Sequence, residues 1–141
     1  MRRIIFPLTF ILTLLPVLAT AAMLEVEILG LSSDRGDVHI ALYDNPAAFP
    51  DSDGMLKEAQ ASIHNARARM VFDGLSPGRY AIAVYHDENA NNSFDQGVFG
   101  IPLEDYGFSN GAKAFLSAPS FEAAAFDVTE PKRSIEIRLN D

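Results

Sequence analysis

No cysteine occurs in this 141-residue chain. That excludes a disulfide framework and a lipid anchor attached at an N-terminal cysteine. The fold must hold through its core, with or without the help of a metal ion. Positive charge is scarce too: 11 Lys and Arg stand against 19 Asp and Glu, a formal net charge of −8. An acidic surface argues against nucleic acid and anionic lipid as partners and is compatible with cations. Past the N-terminal segment, no apolar run approaches the roughly 20 residues that cross a bilayer. Neither G-x-G-x-x-G nor G-x-x-x-x-G-K-[ST] is present, so the common nucleotide cradles are missing. A G-x-S-x-G nucleophile elbow is also absent. His39, His64 and His86 form no H-x-x-x-H pair of the kind that holds zinc.

What is present begins with an export signal. Arg2 and Arg3 precede an apolar run from Ile4 to Leu18, and Ala19-Thr20-Ala21 fits a small-x-small cleavage site. This is the anatomy of a secretory signal peptide over residues 1–21. The expected product is a single domain over 22–141, periplasmic or secreted, with no membrane insertion after cleavage.

The domain reads as strand. Apolar residues alternate with polar or small ones at Leu24-Val26-Ile28, Val38-Ile40-Leu42, Ala66-Ala68-Met70-Phe72, Tyr80-Ile82-Val84 and Ile135-Ile137-Leu139. A further strand is expected within Ala123–Val128. Period-two alternation with one apolar face is what antiparallel sheets over one core require. Six to seven such strands predict an all-β, antiparallel two-sheet β-sandwich of the immunoglobulin or transthyretin-like kind, with one long ordered loop.

The connectors carry turn chemistry. Ser33-Asp34-Arg35-Gly36 reads as a hairpin-like turn. In Asp73-Gly74-Leu75-Ser76-Pro77-Gly78 the Pro-Gly pair suits a type II turn with Gly78 at positive φ. "DGMLKEAQAS" predicts one short helix within residues 44–62. Residues 87–120 form a long connector, rich in Phe and Tyr, and connectors of that length are usually functional when they are ordered.

One stretch, "YHDENANNSFDQG", poses the functional question. With Asp87 as position one, Asn89, Asn91, Ser93 and Asp95 fall at every second place. That is the opening of the calcium-loop code D-x-[DN]-x-[DN]. Alternate residues on a curling loop can aim oxygens at one ion, and calcium takes six to eight of them. Asp87 and Asp95 are the charged candidates, Asn89 and Asn91 the neutral ones, and Ser93 offers its carbonyl. Val98 occupies the place of the bidentate Glu, so the expected affinity is weak, in the roughly 10⁻⁴–10⁻³ M class. The competing reading is an Asx-rich corner whose side chains cap their own backbone.

Other candidates are fewer. His39 lies on the polar phase of its strand and is expected at the surface. His86 follows Tyr80, Ile82 and Val84 in phase, so it is expected to cap the core and touch the loop. A hydrolase using His86 would need a serine or carboxylate within reach of the ring. In "FGIPLEDYGFSNGAKAF" the aromatics can fold the loop back over the sheet. Alternatively Tyr106, Ser109, Asn110 and Lys113 line a recognition surface for a protein or glycan, since loops on a rigid sandwich often bind.

Two resemblances extend this reading. "FDGLSPGRYAIAVYHD" is similar to the turn and core strand of transthyretin-like, prealbumin-type sandwiches. From "VHIALYDNPAAFP" through "YAIAVYHDENANNSFD" and "GIPLEDYGFSN" to "PSFEAAAFDV" the chain resembles a family of exported bacterial proteins catalogued as domain of unknown function 2141. Members typically read "HDENGNGKLD" in the loop, so Asn92 stands where Gly is typical. The resemblance implies an exported small β-domain and carries over no catalytic residues. Taken together, the expectation is a non-enzymatic binding or accessory domain.

Overall fold

The computed structural model describes residues 20–129 and 131–139. Most of the expected signal segment, residues 1–19, lies outside the described residues. Eight strands are present among those described: β1 Ala22–Leu29, β2 Asp37–Tyr43, β3 Lys57–Ser62, β4 Arg67–Leu75, β5 Gly78–Asp87, β6 Tyr106–Phe108, β7 Phe126–Val128 and β8 Lys132–Arg138. They form two sheets. One has the order β4-β1-β8, the other β3-β2-β5-β6, with β7 paired to the start of β5. The expected β-sandwich is therefore correct, with one departure from antiparallel pairing: β8 runs parallel to β1.

The alternation fixes which side of each strand faces inward. Leu24, Val26 and Ile28 from one sheet meet Val38, Ile40, Leu42, Ile82 and Val84 from the other in a common core. Full burial of each such side chain is worth about 1.5–3 kcal/mol. The outer face of the smaller sheet is solvated and ion-paired. Glu25 and Glu27 on β1 face Arg67 and Arg69 on β4, and Lys132 on β8 reaches Glu25.

Several local expectations are corrected. "KEAQAS" forms β3, not a helix, because pairing with β2 from Asp37↔Ser62 to Leu42↔Lys57 overrides the helix propensity of Lys, Glu, Gln and Ala. The turn at Ser33–Gly36 joins strands of different sheets, so it is a crossover and no hairpin. The left-handed glycine is Gly74 (φ 72), near the end of β4, and Gly78 has no positive φ. Residues 121–124 make one helical turn, α1 Phe121–Ala124, capped by Ser120, so the strand expected from Ala123 starts at Phe126. The long connector holds the edge strand β6, which ties it to β5.

A second, smaller apolar cluster lies on the outer face of the larger sheet. Tyr43, Ala81, Phe121, Ala124 and Ala125 are buried there, with Phe49 and Phe108 packed against them. The start of β5 is thus covered on both faces.

Candidate functional site

The loop after β5 is organised by Asp87, which is buried at the end of the strand. Its Oδ1 accepts the Asn91 N–H at 3.0 Å and its Oδ2 the Asn92 N–H at 2.6 Å. Asn89 Oδ1 also accepts from the Asn91 N–H, and Asn91 Oδ1 from the Ser93 N–H. These are Asx turns, the capping alternative foreseen from the sequence. The five residues of the expected metal set do gather, but through mutual hydrogen bonds. Asn89 Nδ2 donates to Asp95 at 2.7 Å, and Asn91 Nδ2 to both Asp95 oxygens at 3.0 Å. Asp95 N–H donates to Glu104 Oε2, while Glu104 Oε1 is buried without a hydrogen-bond partner. Among the described residues no group of three or more His, Asp or Glu side chains is placed to hold a metal ion.

Ala90 (φ 57) and Asn92 (φ 59) are both left-handed. They occupy the two places where "HDENGNGKLD" has glycine. Asn accepts this conformation more readily than Ala, whose Cβ is crowded there.

The histidines divide differently from expectation. His39 is 4% exposed, not a surface residue. Its β2 position lies opposite Tyr85 on β5, so the rings stack with centroids 4.7 Å apart. Its Nε2 is 3.5 Å from Asp87 Oδ2 and its Nδ1 3.4 Å from Glu58. His86 points to the other face and is 1% exposed. Its Nε2 is 2.7 Å from the Arg35 carbonyl, which places the proton on Nε2 in the neutral ring. Nδ1 is then an acceptor 3.5 Å from the Ser32 hydroxyl. His86 does cap the core end, and it anchors the β1–β2 crossover.

The long connector and the outer face of the larger sheet enclose an open cleft of about 840 Å³. Its floor is Ala41 and Ala83, and its walls include Tyr43, Tyr85, Tyr106 and Phe108. A continuous series of ring contacts runs from His39 through Tyr85, Phe94, Tyr106 and Phe108 to Phe49, with centroid spacings between 4.7 and 6.0 Å. Phe99 and Leu116 stand at the margin, 97% and 98% exposed. Burial first, then the carboxylates of Asp87, Glu58, Glu104 and Asp95, push the Tyr85 hydroxyl up to about 12. Burial, followed by Asp51 and Glu58, does the same to Tyr43, also to about 12.

The recognition residues foreseen from the sequence scatter. Tyr106 is half-buried in the cleft wall. Ser109 is fully buried and is no surface residue: its Oγ accepts the Ile82 N–H at 2.8 Å and donates to the Ala124 carbonyl at 2.6 Å. Asn110 is exposed at φ 57 and ties back to the Ala123 carbonyl. Lys113 lies on a separate shallow groove beside β8. Sequence reasoning missed Ala41, Ala83, Tyr85 and Phe94. The signal for them was available: the phases His39-Ala41-Tyr43 and Ala81-Ala83-Tyr85, which should be polar on a solvated face, are apolar and aromatic.

Fold and site together define a small two-sheet β-sandwich with an aromatic recess on one outer face. The chain belongs to the family described as "Uncharacterized protein conserved in bacteria" (DUF2141), whose model matches residues 26–136. Comparison with curated proteins and with solved structures gives no match.

Proposed function

We propose that this is an exported, non-enzymatic binding domain that takes its ligand in the cleft between its larger sheet and the long connector. The observation that carries the reading is the unequal treatment of one sheet face. Half is covered by α1 and Phe49, while the rest keeps the same apolar character and stays open. Ligand sites are concave, mostly apolar and commonly 300–1,000 Å³ in volume. The sealed position of His86 favours an anchoring role for that residue over a hydrolytic one. Titration of the purified protein with the neutral fluorophore N-phenylnaphthylamine tests the reading. Saturable fluorescence gain is expected, with amide NMR shifts centred on Ala83, Tyr85 and Tyr106. Unsaturable binding, or shifts elsewhere, would refute it.

A second reading, weak calcium binding by the 87–95 loop, rests on a different observation. Asn89, Asn91 and Asp95 converge, and Glu104 beside them has one buried oxygen without a partner. An ion there would require both amides to turn their oxygens toward it in place of their nitrogens. Thermal melting in EDTA and in calcium to about 10 mM, with magnesium as control, decides the matter. A calcium-selective rise of several degrees supports it. An unchanged midpoint leaves the loop as the Asx corner described above.

A further inference from the structure

The chemistry of the cleft lining narrows the ligand; this step rests on the cleft being the binding site. Three features of the lining act together. The first is ring density: the contact series from His39 to Phe49 borders an alanine floor. The second is the sign of the charge. Glu58 lines the cleft, and among the described lining residues none is a lysine or arginine. The third is the field inside. Glu58 acts on the hydroxyls of two cleft tyrosines, joined by Asp51 at Tyr43 and by Asp87, Asp95 and Glu104 at Tyr85.

We infer that the cleft binds a small organic cation, an amine or quaternary ammonium carried on an apolar body. Aromatic faces attract such cations through their quadrupole, more strongly where water is displaced. The surrounding carboxylates add a longer-range attraction, and the alanine floor accepts the apolar body. An anion would meet Glu58, with no lysine or arginine on the described lining to offset it. The net charge of −8 extends the same preference beyond the cleft.

The test uses three probes with one aromatic body and different charge: benzyltrimethylammonium, phenylpropanol and phenylpropionate. Binding is read from amide and aromatic NMR shifts at Tyr85, Tyr106 and Phe108. The cation should bind about tenfold tighter than the alcohol, with the anion weakest. Raising salt from about 0.05 to about 0.5 M should narrow the gap. Glu58→Gln, at an exposed position, should weaken the cation several-fold and leave the alcohol unchanged. If the alcohol binds as tightly as the cation, the charge inference is wrong and the cleft remains a binding site. If none of the probes shifts these resonances, the cleft reading falls with it.

Discussion

Removing the hydroxyl of Ser109 should destabilise the protein far more than an ordinary Ser→Ala change. Strand β6 ends at Phe108, yet β5 still has the Ile82 N–H aimed at that side. Ser109 Oγ takes this N–H at 2.8 Å and passes its own proton to the Ala124 carbonyl at 2.6 Å. One side chain thus continues the sheet ladder and holds α1 onto it. Ser109→Ala removes that partner from two backbone groups in a fully buried setting. Each unsatisfied group costs about 1–3 kcal/mol, so the expected loss is about 2–4 kcal/mol. For a domain of this size the melting midpoint falls by on the order of 10 °C. Urea titration followed by circular dichroism measures the loss directly. Ser117→Ala, at an exposed site, serves as the control and should stay within about 0.5 kcal/mol of the parent. A Ser109→Ala protein as stable as that control would refute the argument that this hydroxyl bridges the strand and the helix.

Three other outcomes follow from the same geometry. Ala90→Gly should stabilise by about 0.5–1 kcal/mol, since it relieves a left-handed alanine; a lower urea midpoint would contradict the placement of that turn. Gly36→Ala should cost more than about 3 kcal/mol, because a Cβ there would sit 1.8 Å from the Asp87 carbonyl oxygen at a φ of +68; normal stability of that variant would overturn the crossover geometry. Tyr43 and Tyr85 should ionise late, at about 12, in a phenolate absorbance titration, and Tyr85→Phe should delete one late step. Their folded values lie above the unfolded value near 10, so stability is intact below about pH 10 and is lost as pH rises toward 12.

The sandwich was legible because burial in a sheet imposes a period of two, and five of the strands display it plainly. What was not legible came from tertiary pairing. β3 reads as helix until β2 lies beside it, and β6 is a three-residue edge whose only signal is its neighbour β5. Spacing alone located the 87–95 loop, but it could not say where the carboxylates spend their hydrogen bonds. Asp87 turns out to cap two backbone N–H groups. His39 was misjudged for an instructive reason. Its phase was assigned as polar from the other sheet face being core, although that outer phase carries Ala41, Tyr43, Ala83 and Tyr85.

The two outer faces of the sandwich make the strongest physical case for a ligand. On the smaller sheet the outward positions include Glu25, Glu27, Arg67 and Arg69, paired across strands, with Met23 and Val71 as isolated apolar residues among them. That is how a face adapts to water, and exposed pairs of this kind add at most about 1 kcal/mol each. The larger sheet departs from that rule from Ala41 to Tyr43 on β2 and from Ala81 to Tyr85 on β5. At one end the departure is explained, since Tyr43, Phe49, Phe108 and Phe121 pack on Ala81. Toward Tyr85 the same apolar composition continues under an incomplete cover: Phe94 packs on Tyr85 at 5.3 Å, while Phe99 and Leu116 at the margin project into solvent. Scattered exposed apolar residues need no special cause, but a contiguous concave set marks a place where something else completes the packing. On the inference drawn above, the carboxylates around that set would favour a cation.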